Sequence, residues 1–501
     1  MKNTVFLDPS DNVVSSVIEL KSGIEYEGVV AGQTIPRGHK MAMQPIKAGE
    51  PVLKYAQIIG FARTDIAAGE HVHTHNLEFR SVDQSYEFSS NLRAPSPVAG
   101  QDTFLGYRRE TGKVGTRNYI AIITSVNCSA TAARQIAAHF TPETLADYPN
   151  VDGVAAFVHG TGCGMAGDGD GFSALQRVMW GYARHPNVAG VLMVGLGCEM
   201  NQISWLLDAY GVKSGPLFQT MNIQEVAGLR KTIETGVAKI REMLPLANMA
   251  ERTPCPASEL TLALQCGGSD AWSGITANPA LGYACDLLVA QGGTAVLSET
   301  PEVYGAEHLL TRRAATPEIG EKLINLIDWW EDYTRRNNGS MDNNPSPGNK
   351  KGGLTTILEK SLGAVAKGGT TTLNGVYKYA EPIRTRGFNF MDSPGYDPVS
   401  VTGQIASGCT IVAFTTGRGS TFGSKPAPSI KIASNTKMFD RLKEDMDVDA
   451  GTILSRGDSI ETVGREIYQK ILAVASGAPS KSEAQGLGDC EFVPWQIGAV
   501  M

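Results

Sequence analysis

The sequence predicts an α/β protein in which a small β-rich amino-terminal domain precedes two α/β domains with largely parallel sheets. The 501 residues are enough for several domains. Residues 1–90 alternate short apolar runs with turn sequences at 36–39 and 47–50, which is typical of a β-rich domain. From residue 106 onward, apolar strand-like runs alternate with helical stretches such as 132–140, and this alternation predicts parallel strands connected by helices.

Two breaks in composition divide the chain into these domains. Proline and small residues predict a linker at 91–105. A second proline-containing break near residue 254 separates an α/β domain at 106–250 from a carboxyl-terminal α/β domain at 251–501. The polar, proline-interrupted stretch 343–353 is predicted to be either a functional loop or a disordered one.

The overall composition excludes several classes of protein. A net charge of −7, spread along the chain, argues against binding to nucleic acid or to anionic membrane surfaces. No apolar run approaches the roughly 18 residues of a membrane span, and the amino terminus lacks the apolar core of a signal peptide. We therefore expect a cytoplasmic protein, with homo-oligomerisation left open. Its 8 cysteines do not form a disulfide scaffold, and the clustered thiols among them are expected to be ligands or nucleophiles.

Three cysteines recur at equal intervals, each after an apolar run and ahead of a helical stretch. They are Cys128, Cys163 and Cys198, and Cys266 follows at nearly twice that interval. Because parallel strands end at one edge of a sheet, thiols at these positions can converge on one metal ion or iron–sulfur cluster. Helix amino termini would also lower the thiol pKa and favour ligation. The alternative is that each cysteine is a small buried apolar residue.

Histidines form a second group. His71, His73 and His75 alternate along a predicted strand, so that their side chains would share one side, and His39 lies in a glycine-containing turn. Imidazole is suited both to metal ligation and to proton transfer near neutral pH. The alternative is an exposed, solvated run of histidines.

Two further loops carry groups that suit an acidic substrate or a metal ion. The turn after an apolar run at 410–414 contains Thr416 and Arg418, which can grip a carboxylate, and Lys425 adds positive charge. Glu299 and Glu302 follow another apolar run and are each a candidate base or metal ligand, or the acidic first turn of a helix. A glycine-rich stretch at 162–167 lacks the acidic partner of a dinucleotide site, so nicotinamide binding is not expected.

Several long sequence strings resemble the altronate dehydratase and galactarate dehydratase family. The resemblance runs essentially from end to end, and residues 38–42 resemble part of an SAF (antifreeze-like) domain. The histidine string at 71–76 and the ending at 491–496 resemble the altronate branch, whereas the related sulfolactate lyases divide the small and large domains between separate chains. The remaining strings are Gly-Thr-Arg-Asn at 115–118, Thr-Ser-Val-Asn-Cys at 124–128, Gly-Leu-Gly-Cys-Glu at 195–199, Gln-Cys-Gly-Gly-Ser-Asp at 265–270, Asn-Pro-Ser-Pro-Gly-Asn-Lys at 344–350 and Phe-Thr-Thr-Gly-Arg-Gly at 414–419.

The resemblance implies a hydro-lyase that removes water from a sugar acid. D-altronate, converted to 2-dehydro-3-deoxy-D-gluconate in galacturonate catabolism, is the expected substrate, with galactarate or another acid of the same family as the alternative. The resemblance also implies iron, as Fe²⁺ or an iron–sulfur cluster, or another divalent metal. A nicotinamide oxidoreductase and a non-catalytic carbohydrate-binding protein are the alternatives from other classes.

These inferences assign roles to individual residues. The metal ligands are Cys128, Cys163, Cys198 and Cys266. The proton-transfer candidates are His39, His73, His75 and Glu299. The residues assigned to the substrate are Arg418, Lys425, Thr416, Ser269 and Asp270.

Overall fold

The computed structural model of the protein describes residues 3–82 and 85–498. Its amino-terminal unit consists of short antiparallel strands connected by turns. Glycines such as Gly38 (φ +83°) and Gly49 (φ +87°) occupy turn positions with a left-handed backbone that other residues rarely adopt. The strands are β1 (Thr4–Val5), β2 (Val13–Ser16), β3 (Glu25–Tyr26), β4 (Val29–Val30), β5 (Lys40–Ala42), β6 (Pro51–Lys54), β7 (Gln57–Ala62), β8 (His71–Val72) and β9 (Leu77–Glu78). They pair in the orders β1-β2-β5-β8, β6-β7-β9 and β3-β4.

The second unit is built around a parallel sheet with the order β13-β12-β14-β15. Alternate residues of its first strand face opposite cores, since Ile120 packs with α1 and α5 whereas Ala121 packs with α2. The elements are β10 (Thr103–Arg108), β11 (Val114–Gly115), β12 (Tyr119–Thr124), α1 (Ala130–Ala137), β13 (Gly153–Phe157), α2 (Gly169–Ala183), β14 (Val188–Gly195), α3 (Ile203–Tyr210), β15 (Phe218–Asn222), α4 (Ile223–Val226), α5 (Leu229–Ala247) and β16 (Arg252–Pro256). Strands β11, β10 and β16 form a separate antiparallel sheet that leads into the third unit.

The third unit contains a larger parallel sheet with the order β19-β20-β18-β17-β21-β22-β23. Its strands are buried along nearly their whole length, as expected for a sheet covered by helices on both faces. The elements are β17 (Thr261–Cys266), α6 (Ala277–Ala290), β18 (Thr294–Leu297), α7 (His308–Thr311), α8 (Pro317–Arg336), α9 (Pro347–Lys351), α10 (Ile357–Val365), β19 (Leu373–Tyr377), β20 (Gly387–Met391), α11 (Asp397–Ala406), β21 (Ile411–Thr416), β22 (Ser429–Ala433), α12 (Thr436–Arg441), β23 (Val448–Asp449), α13 (Thr452–Ser455), α14 (Ile460–Ala475) and α15 (Lys481–Ala484).

The amino-terminal unit docks on the third unit through a buried ion-pair network. Glu359 on α10 accepts hydrogen bonds from Lys40 Nζ at 2.8 Å and from Lys54 Nζ at 2.9 Å, and all three side chains are almost fully buried. Lys40 Nζ also donates to the carbonyl of Gly353 at 2.8 Å. Because breaking such a buried network would leave a charge without a partner, it fixes the position of the neighbouring loop 36–40 against the third unit.

Both parallel sheets have a point at which the chain changes direction across the sheet. In the second unit, β13 and β14 lie on opposite sides of β12, and in the third unit, β18 and β21 lie on opposite sides of β17. Ligands of open α/β sheets bind in the crevice at the carboxyl ends of the strands at such a point. The fold therefore singles out the loops that follow β12 and β17.

The predicted fold class is confirmed, and local details differ from the expectation. β8 ends at Val72, so the histidines do not alternate along one strand. The side chain of Asn76 accepts a hydrogen bond from the His73 amide and donates one to the carbonyl of His71, which closes a turn instead. The polar stretch 343–353 contains α9, whose first turn is closed by a reciprocal capping box between Ser346 and Asn349.

Candidate active site

A cavity of about 410 Å³ lies at the point where the third sheet changes direction, between that sheet and the amino-terminal unit. Its charged lining residues are mainly positive, and it is named the basic cavity. Arg37 reaches it from the amino-terminal unit and lies 4.4 Å above the ring of Trp272, counted from Cζ to the ring centroid. The charged residues of the lining are Arg37, Lys351, Arg418, Lys437, Arg441 and Asp270.

Asp270, the acidic residue of this lining, is occupied by the protein itself. Its carboxylate accepts hydrogen bonds from the hydroxyls of Ser273 and Ser434, at 2.9 and 2.8 Å, and from Asn435 Nδ2 at 3.1 Å. Burial raises its pKa above the ordinary value. Because Asp270 is held by these neutral donors, the arginines and lysines of the basic cavity remain available to an anionic ligand.

The loops after β17 and β21 bind each other and shape the wall of the basic cavity. The amides of Gly417 and Arg418 donate to the carbonyl of Gly268 at 3.1 and 2.9 Å. A Cβ atom on Gly417 would lie 2.1 Å from Cγ of Asp270, so only glycine fits there. Thr416 Oγ1 accepts from the amide of Gly419 at 3.1 Å and thereby stabilises the turn that carries Arg418.

A cluster of imidazoles adjoins the basic cavity. The ring nitrogens His39 Nδ1 and His71 Nε2 are 2.9 Å apart, and the His39 ring stacks on His73 at a centroid distance of 4.7 Å. His73 Nε2 donates to the carbonyl of Lys350 at 2.9 Å, and His39 Nε2 lies 3.4 Å from the carbonyl of Lys351. Through these carbonyls the cluster contacts the loop that brings Lys351 to the basic cavity.

The geometry of the imidazole cluster favours neutral rings. Because a carbonyl only accepts, His39 carries its proton on Nε2, and His39 Nδ1 then accepts from His71 Nε2. Burial, together with the neighbouring imidazoles, lowers the pKa of His39 to about 4 and that of His71 to about 3. Burial also lowers the pKa of His73. His75 packs against His71 at a centroid distance of 5.3 Å.

A second group of ionisable side chains is buried next to the loop that follows β17 and is called the thiol–carboxylate cluster. It contains Cys266 at the end of β17, Glu299 and Glu302 after β18, and Asp397 at the start of α11. One ligand atom from each of Cys266, Glu299 and Glu302 lies within 4.8 Å of the others. Residue 267, a glycine, packs against Asp397, because a Cβ there would lie 2.2 Å from Asp397 Oδ2.

Two lysines partly balance the thiol–carboxylate cluster. Lys367 Nζ lies 2.8 Å from Cys266 Sγ, and Lys360 Nζ donates to Glu302 Oε1 and, at 2.9 Å, to Asn344 Oδ1. Neither ammonium group makes a hydrogen bond to Glu299, from which Lys367 Nζ is 3.9 Å away. Two positive charges therefore face a thiol and three carboxyl groups.

Glu299 shows the imbalance most clearly. Both of its carboxylate oxygens are buried, and among the described residues neither has a hydrogen-bond partner. Its backbone has φ of +72°, a left-handed conformation that costs energy in a residue other than glycine. Burial and the neighbouring Glu302 carboxylate raise the pKa of Glu299 well above the ordinary value, and burial with the same neighbour raises that of Asp397 to about 7. A divalent cation would supply the missing charge, and a thiolate with carboxylates is a suitable donor set for iron.

The structure divides the predicted cysteine ligands between two places. Cys266 is buried in the thiol–carboxylate cluster, whereas Cys128, Cys163 and Cys198 are exposed on loops of the second unit. Within 3–82 and 85–498, three sulfur, imidazole or carboxylate ligands come within 4.8 Å of one another only at Cys266, Glu299 and Glu302. The three exposed thiols are thus not at the spacing of a single ion.

The predicted substrate residues are also divided. Asp270 and Arg418 line the basic cavity, and Ser269 lies next to it, with its carbonyl accepting from Asn349 Nδ2 at 2.8 Å. Lys425 instead forms an ion pair with Asp489 at 2.6 Å.

Sequence reasoning missed several residues of both sites. Lys360 and Lys367 lie in helical segments, where lysine usually marks an exposed face, and only their burial reveals a role. Arg37 comes from another domain, and Lys437 and Arg441 lie on α12. The adjacent lysines Lys350 and Lys351, next to a proline-rich turn, were the one sequence feature that could have indicated part of the basic cavity.

Comparison with known proteins places this architecture in a class of sugar-acid dehydratases. Residues 2–80 match the altronate/galactarate dehydratase SAF domain, residues 106–248 match the second domain of D-galactarate dehydratase/altronate hydrolase, and residues 257–500 match the carboxyl-terminal domain of D-galactarate/altronate dehydratase. The chain therefore belongs to the D-galactarate dehydratase and altronate dehydratase family.

Individual relatives agree with this membership. The chain is 36% identical over 488 residues to the altronate dehydratase of Bacillus subtilis (strain 168), covering 95% of this chain and 96% of the relative. It is 37% identical over 480 residues to the galactarate dehydratase (L-threo-forming) of Escherichia coli (strain K12), covering 93% and 92%. It is also 34% identical over 394 residues to the (2R)-sulfolactate sulfo-lyase subunit beta of Chromohalobacter salexigens, covering 78% and 96%. No helix within the described ranges is long and apolar enough to span a membrane.

Proposed function

We propose that this dehydratase removes water from a sugar acid bound in the basic cavity, with D-altronate as its substrate and galactarate as the alternative. The observation that carries the proposal is the set of five arginine and lysine side chains that meet at the carboxyl ends of β17 and β21. These groups suit a carboxylate, and the cavity volume of about 410 Å³ accommodates a six-carbon acid. The histidine string at 71–76 supports altronate over galactarate.

The reaction removes the proton next to the carboxylate and expels the hydroxyl from the following carbon. That proton is weakly acidic because the carboxylate is already charged, and hydroxide is a poor leaving group. Arg37, Lys351 and Arg418 would bind the carboxylate and offset the negative charge that develops on it. Positioned charges of this kind are most effective in a site that excludes water.

We assign proton transfer to His39, with His71 and His73 supporting its orientation. Its low pKa keeps the imidazole neutral at neutral pH. To accept a proton at Nε2, the ring takes the other tautomer, in which Nδ1 donates to His71 Nε2, and Nε2 gives up its long 3.4 Å contact with the Lys351 carbonyl. Proton transfer from a positioned side chain contributes about 10²- to 10⁴-fold to the rate. His73 and His75 remain candidates for the second transfer, to the departing hydroxyl.

We also propose that Cys266, Glu299 and Glu302 hold a divalent metal ion, most suitably Fe²⁺. The support is the unsatisfied Glu299 carboxylate together with the excess of acidic over basic groups. When bound, the ion would supply Lewis-acid polarisation of an oxygen atom of the substrate. This assignment makes Glu299 a ligand rather than the general base. Cys266 ends β17 and Asp270 lies in the loop that follows, so this segment connects the cluster to the basic cavity.

The test is an assay of 2-keto-3-deoxy product from purified altronate and from purified galactarate, under anaerobic conditions with Fe²⁺. Arg418→Ala is expected to lower kcat/KM by about 10- to 100-fold, which corresponds to the loss of one hydrogen bond to a charged group. Lys425→Ala is the matched control, because this lysine is paired with Asp489 and does not line the basic cavity. If Arg418→Ala kept the activity of the unaltered protein, the substrate would bind elsewhere. If product formed from galactarate alone, galactarate would be the substrate in place of altronate. A cytoplasmic role in hexuronate catabolism remains a prediction from the sequence.

A further inference from the structure

We propose that Cys128, Cys163 and Cys198 hold an iron–sulfur cluster at the edge of the second unit, separate from the thiol–carboxylate cluster and from the basic cavity. These residues are called the cysteine edge below. This cofactor site shares no residue with the proposed substrate site. It therefore stands or falls independently of which sugar acid the enzyme uses.

The strand register places the three cysteines at the same edge. Thr124 of β12 pairs with Val194 of β14, and Cys128 and Cys198 follow these two residues at the same distance along the chain. Ile123 of β12 pairs with Phe157 of β13, and Cys163 is only one residue further from that pair than Cys128 is. The three cysteines therefore follow three adjacent parallel strands, at nearly the same distance beyond residues that are paired in the sheet.

The loops that carry the cysteines are bonded to one another. The amide of Asn127 donates to the carbonyl of Thr161 at 3.0 Å, and the amide of Asn201 donates to the carbonyl of Gly162 at 3.0 Å. Asn201 Nδ2 donates to the carbonyl of Ser125 at 2.9 Å. Gly162 has φ of +98°, and a Cβ atom there would lie 2.2 Å from the carbonyl oxygen of Ser125. Three loops that are distant in sequence therefore form one frame.

A buried carboxylate connects these loops through hydrogen bonds. Glu199, which follows Cys198 directly, is only 3% exposed. It accepts hydrogen bonds from the Ser125 hydroxyl and from the amides of Leu196 and Gly197, the last at 2.6 Å. The residues around the thiols are therefore fixed by internal bonds, while the thiols themselves are exposed.

This arrangement suits a multi-iron cluster better than a single ion. The three sulfur atoms are not within the 4.8 Å spacing that the Cys266 group shows, and a cluster is bound by thiolates that surround a larger core. The position is also the one at which ligands bind in open α/β sheets, because β13 and β14 lie on opposite sides of β12. Three cysteines would leave one iron of a four-iron cluster without a protein thiolate.

The experiment measures the cofactor rather than turnover. The full-length protein is reconstituted anaerobically with Fe²⁺ and sulfide, and iron, acid-labile sulfide and the visible spectrum are determined. About four irons and four sulfides per chain are expected beyond the iron of the Cys266 site. Each of Cys128→Ser, Cys163→Ser and Cys198→Ser is expected to lose most of the sulfide and of the visible absorption.

Two control variants separate this site from its neighbours. Cys490→Ser replaces another exposed cysteine and is expected to retain the cluster, as is Cys266→Ser, which alters the buried site. Alkylation followed by peptide mapping gives a second readout: Cys128, Cys163 and Cys198 should react in the cluster-free protein and be protected after reconstitution, whereas Cys490 should react in both. Iron or zinc without sulfide, equal loss of sulfide in Cys490→Ser, or unchanged alkylation would each overturn the proposal. Each of these results would leave the proposed function intact, because the cysteine edge shares no residue with the basic cavity.

Discussion

Lys367 Nζ lies 2.8 Å from Cys266 Sγ, in the interior of the third unit and at the carboxyl end of its central strand. Both side chains are almost fully buried. A lysine in contact with a cysteine at such depth is unusual because burying a charge without several partners is costly. The carboxyl groups of Glu299, Glu302 and Asp397 explain it, because buried acidic groups require positive charge nearby. Burial raises the pKa of the Cys266 thiol to about 11, and Lys367 opposes this rise by favouring the thiolate.

The effect of Glu299→Gln on thermal stability should change sign when metal is added. In protein stripped with a chelator, the substitution removes a buried acidic group whose two oxygens have no hydrogen-bond partner among the described residues, and it is expected to raise the Tm. With Fe²⁺ or Mn²⁺ at about 100 times its Kd, the unaltered protein should gain about 2.7 kcal/mol of unfolding free energy, and the variant much less. Thermal unfolding with and without metal checks the crossover.

Glu307→Gln is the control for this experiment. Glu307 is also buried, with one carboxylate oxygen unpaired among the described residues, but it bonds Tyr86 and lies outside the thiol–carboxylate cluster. Its substitution should leave the metal-induced rise in Tm unchanged. An equal rise in all three proteins would show that the ion binds at another place.

Acidification should weaken the docking of the amino-terminal unit on the third unit. The folded-state pKa values of His39 and His71, about 4 and about 3, lie below the ordinary value of 6.5, so the unfolded protein binds more protons between these values. The contribution of neutral His39 to stability is therefore fully present above pH 6.5 and is lost as the pH falls toward 4. Its size is at most about 3 kcal/mol.

Thermal unfolding between pH 4 and pH 8 measures this dependence. His39→Gln should show a shallower fall of Tm below pH 6.5 than the unaltered protein. His139→Gln is a suitable control, since the exposed His139 side chain bonds only the carbonyl of Gln135 within the described residues. Parallel curves for the unaltered protein and His39→Gln would refute the assignment.

Gly417→Ala should impair catalysis through the position of Asp270. The added Cβ would lie 2.1 Å from Asp270 Cγ, so the two loops at the wall of the basic cavity must separate. A displacement of about 1 Å can cost about 10²-fold in rate, and we expect a loss of that size in kcat/KM. Gly215→Ala provides the comparison, because no atom lies within 4 Å of the added methyl group. Normal kinetics in Gly417→Ala would mean that this wall does not contact the substrate.

Arg37 should contribute to substrate binding although it belongs to the amino-terminal unit. Arg37→Ala is expected to raise KM by about 10- to 100-fold, as for the loss of a hydrogen bond to a carboxylate. Arg37→Lys keeps the charge but loses the planar contact over Trp272, and it should recover only part of the affinity. Steady-state kinetics with the preferred acid distinguish these outcomes. Unchanged KM in both variants would restrict the site to the third unit.

The sequence was sufficient for the fold class because strand and helix patterns are local. It also assigned Asp270 and Arg418 to one substrate site, and both residues line the basic cavity. The strand predicted through His71, His73 and His75 was wrong because the Asn76 side chain closes a turn. Lys367 and Arg37 could not be found in this way, because their roles depend on burial and on packing between domains.

The two halves of the basic cavity belong to different units of the chain. Arg37 and His39 approach Arg418 and Lys351 across a boundary between units joined by the exposed segment 91–101. Covalent attachment converts their encounter from a bimolecular association into an intramolecular one, with an effective concentration set by the tether rather than by the amount of protein. Dilution should consequently leave the specific activity of the intact chain unaffected. After proteolytic cleavage within 91–101, assembly of the cavity would depend on the concentration of the two fragments.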